Sequence, residues 1–249
     1  GDKTPVAIIE HPDVRRMLLR SKALTQAARA LLYYATSSVD RATLGIEGAK
    51  SRAEILTPLI KGYGTDIGNE VASLGVQVHG GMGFIEETGA GQHFRDARIA
   101  PIYEGTNGIQ AADLVGRKLG LDGGEAMATL ISDIRAEAEG DESLLALADT
   151  CEHIRQWMAS GDASIDDRLA GSYAFMTMLA TATCGMLMKK QHRIASAELA
   201  EGDDPFLKAK LVTTRYYLDH IVPEALGLKA AAMGGADILY SLNSAELAG

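Results

Sequence analysis

From Val14 to about Val39, apolar residues recur at three-to-four spacing, through Leu18, Ala23, Ala27, Ala30, Leu31 and Tyr34. That period is the signature of an amphipathic α-helix. His11-Pro12-Asp13 opens the segment, with Pro in the first turn, where its missing N–H costs nothing. A second such period covers roughly 51–79, with Ile55, Leu59, Ile67, Val71, Leu74 and Val78 on its inner face. Helices this long bury their stripes against other long helices, so the chain is expected to form a bundle of antiparallel helices. Composition agrees: about 38 of 249 residues are Ala, only 6 are Pro, and aromatics are 5%, which favours helix over sheet. Strand-like alternation is missing throughout, and the fold class read from the sequence is all-α.

Further helical segments are expected at about 91–99, 106–119, 125–138, 142–160, 164–199, 204–219 and 222–240. Asp203 or Asp204 should cap the helix that begins at Pro205. The glycines are uneven, with 15 of the 27 between Gly62 and Gly124. Glycine is costly inside helices, so the cluster marks turns where backbone approaches something closely. Gly80-Gly81-Met82-Gly83 should end the second long helix through a left-handed cap, and 120–124 reads as a linker.

Charge divides at the same place. Residues 1–120 carry a balance of +1 and residues 121–249 a balance of −10. An acidic chain without a basic cluster is a poor binder of nucleic acid or anionic membranes. Lys189-Lys190 with His192-Arg193 is one short basic run, read as a solvated helix face. The apolar stretch from Tyr173 to Met188 is interrupted by polar residues and too short to span a bilayer, so it reads as a buried helix, with Met176, Met178, Met186 and Met188 filling core. No secretory signal is visible. Cys151 and Cys184 lack metal or disulfide spacing, and no metal site is expected, His93 and His192 having no ligand-spaced partners. A cytoplasmic setting is the simple reading.

Two segments stand out chemically. In Pro101-Ile-Tyr-Glu-Gly-Thr-Asn-Gly-Ile-Gln110, a single carboxylate, Glu104, sits between Tyr103 and Gly105 just before a helix. It either favours the helix N-terminus or acts as a general base presented on a loop. Burial would suit the second role, because it moves a carboxyl pKa towards neutrality. In Gln77-Val-His-Gly-Gly-Met-Gly-Phe84, the glycines either cap a helix or offer backbone N–H groups to a phosphate. No strand precedes them, so a dinucleotide-binding βαβ unit is excluded. Glu86-Glu87 reads as a solvated turn.

Those two segments, with Phe94-Arg-Asp-Ala-Arg-Ile99 between them, occur in one order over about 35 residues. Together they resemble the C-terminal helical domain of the acyl-CoA dehydrogenase flavoproteins, over roughly residues 7–119. The resemblance implies an up-and-down four-helix bundle over 5–120, followed by an additional helical domain over 121–249. It implies that Glu104 is the base removing the α-proton of an acyl-CoA thioester while a β-hydride passes to FAD, giving a trans-2-enoyl-CoA. Tyr103 and Gly105 would contact substrate, and Thr106, Asn107 and Gly108 would lie near the FAD. Gln77, Val78, His79, Gly80 and Gly81 would contact the FAD of a neighbouring subunit, which implies a homodimer or larger homo-oligomer. Arg95 and Asp96 would be structural, holding the short helix to the bundle. An electron-transfer flavoprotein or similar acceptor would be the redox partner.

The family's N-terminal helical domain and middle β-domain have no counterpart here. The chain therefore reads as a fragment, inactive alone and binding FAD weakly or not at all. A non-catalytic helical scaffold or DNA-associated relative, and an acyl-CoA oxidase, are the rival readings; intact Glu104-Gly105-Thr106 and the acidic second half argue against the first. Lys229–Asp237 faintly echoes Gln77–Phe84, through either a degenerate duplication or chance similarity.

Overall fold

The computed structural model describes residues 4–249. Twelve α-helices run in order: α1 Pro12–Thr43, α2 Ala49–Val78, α3 Gly81–Phe84, α4 Ala90–Ala97, α5 Asn107–Gly116, α6 Glu125–Glu137, α7 Glu142–Ala159, α8 Ile165–Leu199, α9 Pro205–Tyr216, α10 Val222–Leu226, α11 Lys229–Ala232 and α12 Ser244–Leu247. No strand occurs among the described residues. Local chemistry places many of the boundaries. Pro12 takes the first position of α1 and Pro205 that of α9, where the Asp204 carboxylate accepts from the Phe206 N–H. At the start of α8, Ser164 and Asp167 exchange side-chain and backbone hydrogen bonds in a capping box.

α1 and α2 form a long hairpin paired along their length, and α8 lies against α1, α2 and α5. α8 is the central helix of the molecule. Every residue from Met178 to Met186 is buried, so this stretch has no solvent face. The four methionines at 176, 178, 186 and 188 are in the core as expected. One contiguous apolar cluster runs from Ala23 on α1 through Leu59 on α2, Leu114 on α5 and Leu179 on α8 to Ala232 on α11. The tightest approach is at Gly171 on α8, where a Cβ would lie 2.1 Å from the carbonyl oxygen of Ala232.

Three local expectations are corrected. Leu18 falls on the outer side of α1 and is 40% exposed. Within the expected 120–124 linker, Leu121, Asp122 and Gly123 have non-helical backbone, while Lys118 and Leu119 just before it are buried and the Lys118 ammonium donates to the Glu54 carbonyl. The helix expected over 222–240 stops at Leu226, and the chain continues as the short α11 and a 3-10 turn, with Gly235 at φ +72° between them. Before it, Tyr217–Ile221 forms a π-helical turn that directs Tyr217 fully inward, its hydroxyl 3.1 Å from that of Tyr63. Gly80 ends α2 at φ +61°, ψ −144°, a conformation open to glycine but outside the left-handed helical cap.

Cys151 and Cys184 are buried free thiols. Burial raises both thiol pKa values, that of Cys184 to about 12. Among the described residues no helix is long and apolar enough to cross a membrane, and no cluster of side chains is suited to a metal ion.

Candidate functional site

The loop between α4 and α5 is short and closed. The Asn107 N–H donates to the Pro101 carbonyl at 3.0 Å. Thr106 is the N-cap of α5, its hydroxyl oxygen accepting from the Ile109 N–H at 3.2 Å. Within this loop Glu104 adopts φ +54° and Gly105 φ +84°. A left-handed backbone suits glycine but is strained for a glutamate. Only Glu104 and Asp122 are non-glycine residues with positive φ among the described residues.

Asn107 anchors the loop from below. It is 3% exposed, and its side-chain N–H groups donate to the Gly62 carbonyl (3.0 Å), the Thr65 hydroxyl (2.9 Å) and Asp66 Oδ1 (2.9 Å), all on α2. Lys61 Nζ donates both to Asn107 Oδ1 (3.1 Å) and to the Gly105 carbonyl (2.6 Å). The Gln110 side chain donates to the Glu104 carbonyl at 3.4 Å. Tyr103, Glu104, Gly105, Thr106 and Gly108 are exposed above this anchor. The burial expected around Glu104 is therefore not supplied by this chain; the anchored backbone lifts the carboxylate into solvent.

Beside the loop runs an open groove of about 460 Å³. Asp66 and Asn69 of α2, Phe94 and Arg98 around the end of α4, Thr106 and Tyr173 are in its walls. Asn69 donates to the carbonyls of Thr65 (2.9 Å) and Ala97 (3.1 Å), which fixes its amide orientation. Its Oδ1 is left as the one buried side-chain polar atom without a partner among the described residues.

The second segment caps α2. Gln77, His79, Gly80 and Gly81 are exposed and Val78 is half-buried. His79 Nδ1–H donates to the Gly75 carbonyl at 2.7 Å, one helical turn back. Gly83 is needed for packing, since a Cβ there would lie 2.2 Å from the Val76 carbonyl oxygen. Gly81 is not: a Cβ would meet nothing within 4 Å, and its φ is ordinary. Its lack of a side chain faces outward. Met82 and Phe84 beside it are 59% and 84% exposed.

Arg95 and Asp96 do not hold α4 to the bundle. Arg95 reaches Glu86 at 3.7 Å and is largely exposed, and Asp96 is exposed. α4 is held instead by buried Ala90 and by the Asn69 bond to Ala97. Glu86-Glu87 is an exposed 3-10 turn, as expected. Lys61, Asp66, Asn69 and Tyr173 were not singled out by sequence reasoning. Lys61, Thr65 and Asn69 at i, i+4 and i+8 form a polar stripe along one side of α2, a pattern that marks the anchor.

An all-helical frame that presents one carboxylate on an anchored loop, with an outward glycine turn at the end of a long helix, is a frame of one recognisable class. Residues 3–119 match the family described as acyl-CoA dehydrogenase, C-terminal domain, and residues 126–243 match the one described as acetyl-CoA dehydrogenase C-terminal like. A 3-methylmercaptopropionyl-CoA dehydrogenase of Ruegeria pomeroyi is 44% identical over 237 residues, covering 88% of this chain and 40% of the relative. A butyryl-CoA dehydrogenase of Syntrophomonas wolfei is 34% identical over 255 residues, covering 93% and 41%. The CarC subunit of the caffeyl-CoA reductase-Etf complex of Acetobacterium woodii is 35% identical over 94 residues, 38% of this chain and 23% of that one. In fold, the chain resembles Caenorhabditis elegans ACDH-11 in complex with C11-CoA (TM-score 0.68, 17% identity, covering 96% of this chain and 42% of the other). It also resembles a Bacillus anthracis acyl-CoA dehydrogenase complexed with FAD (TM-score 0.57, 16% identity, 98% and 44%). The chain belongs to the acyl-CoA dehydrogenase family. It spans about two-fifths of the length of the curated relatives it matches over most of its own length.

Proposed function

We propose that this chain is the base-bearing part of an FAD-dependent acyl-CoA dehydrogenase, with Glu104 as the general base. The observation that carries the reading is the Glu104 backbone: a strained conformation, held from below by Asn107 and Lys61, with the carboxylate projecting outward. Such strain persists where the surroundings over-determine it, and it clusters at active sites. The intact loop argues against a non-catalytic scaffold.

Glu104 would take the α-proton of the thioester, and the β-hydrogen would leave as hydride, giving a trans-2-enoyl-CoA. FAD, when bound, supplies the hydride acceptor. Gly105 would let the thioester approach the backbone, and Tyr103, half exposed, would lend an apolar wall. Fixing the carboxylate on a rigid loop pre-sets its orientation towards the Cα–H bond, the geometric share of the rate enhancement.

The residues fit a flavin dinucleotide on their own geometry. Gly81 presents bare backbone that nothing inside the chain explains, beside Gly80, whose own backbone conformation calls for glycine. Thr106, Asn107 and Gly108 line a groove whose wall carries the orphaned Asn69 oxygen. Gln77, Val78 and His79 would complete the contact at the end of α2, across a homodimer or larger homo-oligomer. The exposed Phe84 beside them is consistent with cover by a second subunit. An electron-transfer flavoprotein as redox partner is supported by the Etf-complex relative. The free thiols suit a cytoplasmic setting. By sequence the chain divides into units 5–120 and 121–249. Alone, it is expected to be inactive and to hold FAD poorly, because Glu104 and the Gly80-Gly81 turn are open to water.

The test is Glu104→Gln in the full-length flavoprotein. Flavin content and acyl-CoA binding should be retained and most turnover lost, by about a hundredfold or more. Turnover at the parent rate would overturn the assignment.

A further inference from the structure

Tyr173 stands near the start of α8, more than fifty residues beyond the loop that carries Glu104. Its hydroxyl donates to Asp66 Oδ2 at 2.6 Å. Asp66 Oδ1 accepts from Asn107 Nδ2 at 2.9 Å. Asn107 Oδ1 accepts from Lys61 Nζ, which also holds the Gly105 carbonyl. A continuous chain of hydrogen bonds thus runs from the central helix through α2 to the residue next to Glu104.

We propose that Tyr173 is a positioning residue for the Glu104 loop, so that the acidic second half of the chain sets the orientation of the base. This rests on the reading of Glu104 as the base. Among the described residues Asp66 makes no ion pair, so the phenol is what orients its second oxygen. With the carboxylate so fixed, its first oxygen faces Asn107 and adds to the Gly62, Thr65 and Lys61 contacts that hold the amide. Tyr173 is 42% exposed at the edge of the groove, so filling core does not explain it. Burial first, and then the bond to Asp66, push its phenol pKa up to about 12, which keeps the hydroxyl a donor at neutral pH. The residue belongs to the stretch matched by the second family description, and it reaches the loop matched by the first.

The test is Tyr173→Phe in the full-length, flavin-loaded enzyme, with two readouts. The first is amide hydrogen exchange without substrate. Exchange across residues 101–108 should rise about tenfold while α5 and α8 amides exchange as before. The second is steady-state turnover: kcat should fall about tenfold, with KM for the acyl-CoA changed by no more than about twofold. Asp66→Asn breaks the next link and should give the same pattern, and the double variant should add little to either single one. Unchanged exchange across 101–108, faster exchange spread equally through α5 and α8, or a faster-exchanging loop with unchanged kcat would each overturn the proposal. Glu104→Gln separates it from its premise: if that variant turns over normally, the base assignment fails, while loop exchange in Tyr173→Phe still reports whether Tyr173 holds the loop.

Discussion

Glu104 is held at φ +54° by contacts made to its neighbours rather than to its own side chain. Its carbonyl is met by Gln110, and Gly105 is fixed through Lys61, but the carboxylate itself is free of protein partners in the hydrogen bonds and ion pairs found. A glutamate that contributes nothing to packing and occupies a conformation suited to glycine is a stability cost. Glu104→Gly should therefore raise the stability of the chain by about 0.5–1 kcal/mol, measured as the urea midpoint, while abolishing turnover in the full-length enzyme. Loss of stability would mean that the side chain has a structural role. At the same scale, Gly81 and Gly83 look alike in sequence but differ in cause. Gly83 answers to the carbonyl of Val76, and Gly81 answers to nothing inside the chain. Only the second is the mark of an outside contact.

Helix α8 is where close packing decides what a residue can be. At Gly171 the neighbour is the Ala232 backbone, which cannot move without shifting α11. At Gly62, on α2, the neighbour is the terminal methyl of Met176, 2.4 Å from where a Cβ would stand. A methionine end swings aside easily. Gly171→Ala is expected to destabilise by about 3 kcal/mol, whereas Gly62→Ala should stay within about 1 kcal/mol, because the helix propensity gained by alanine offsets the repacking. Thermal unfolding of the two variants checks both, and equal effects would mean that α11 is loosely seated. This contrast also shows what a sequence conveys at the element scale. The starts of α1 and α9 are legible because Pro12, Asp204 and Pro205 act locally. The buried length of α8 is legible from its largely apolar stretch at 173–188. The stop at Leu226 is not, because the alanines of 229–232 favour helix, and their ending depends on docking against Gly171. Glu104, Gly105 and the Gln77–Gly81 turn were legible as unusual residues in unusual places. Lys61, Asp66 and Tyr173 were not, because each acts through a partner 40 to 110 positions away.

Across the whole molecule, the division of charge near residue 120 does not correspond to a division of the core. Just before the boundary, Lys118 is buried and bonded to α2. Beyond it, α8 lies against α1, α2 and α5, and its Phe175, Met176 and Leu179 belong to the same apolar cluster as Leu31, Leu59 and Leu114. Arg20 on α1 pairs with Glu224 on α10 at 2.8 Å as well as with Glu70 on α2, a further tie across the two halves. Two sequence units that share a core should unfold together. Calorimetry of the 249-residue chain is expected to show one transition whose calorimetric and van't Hoff enthalpies agree. Ending the chain at residue 124 would expose the faces of α1, α2 and α5 that α8 covers. The remaining segment should then lose cooperative unfolding and bind a hydrophobic dye. Two resolved transitions, or a folded 1–124 segment, would mean that the halves are independent bodies. In that case the hydrogen-bond chain from Tyr173 would be a contact between two domains instead of a feature of one core, and the Tyr173→Phe effect on the loop should weaken as the two halves are pulled apart by mild denaturant. If the single transition holds, the acidic extension is a structural condition for the bundle that presents Glu104, and the loop should keep its anchor up to the midpoint of global unfolding.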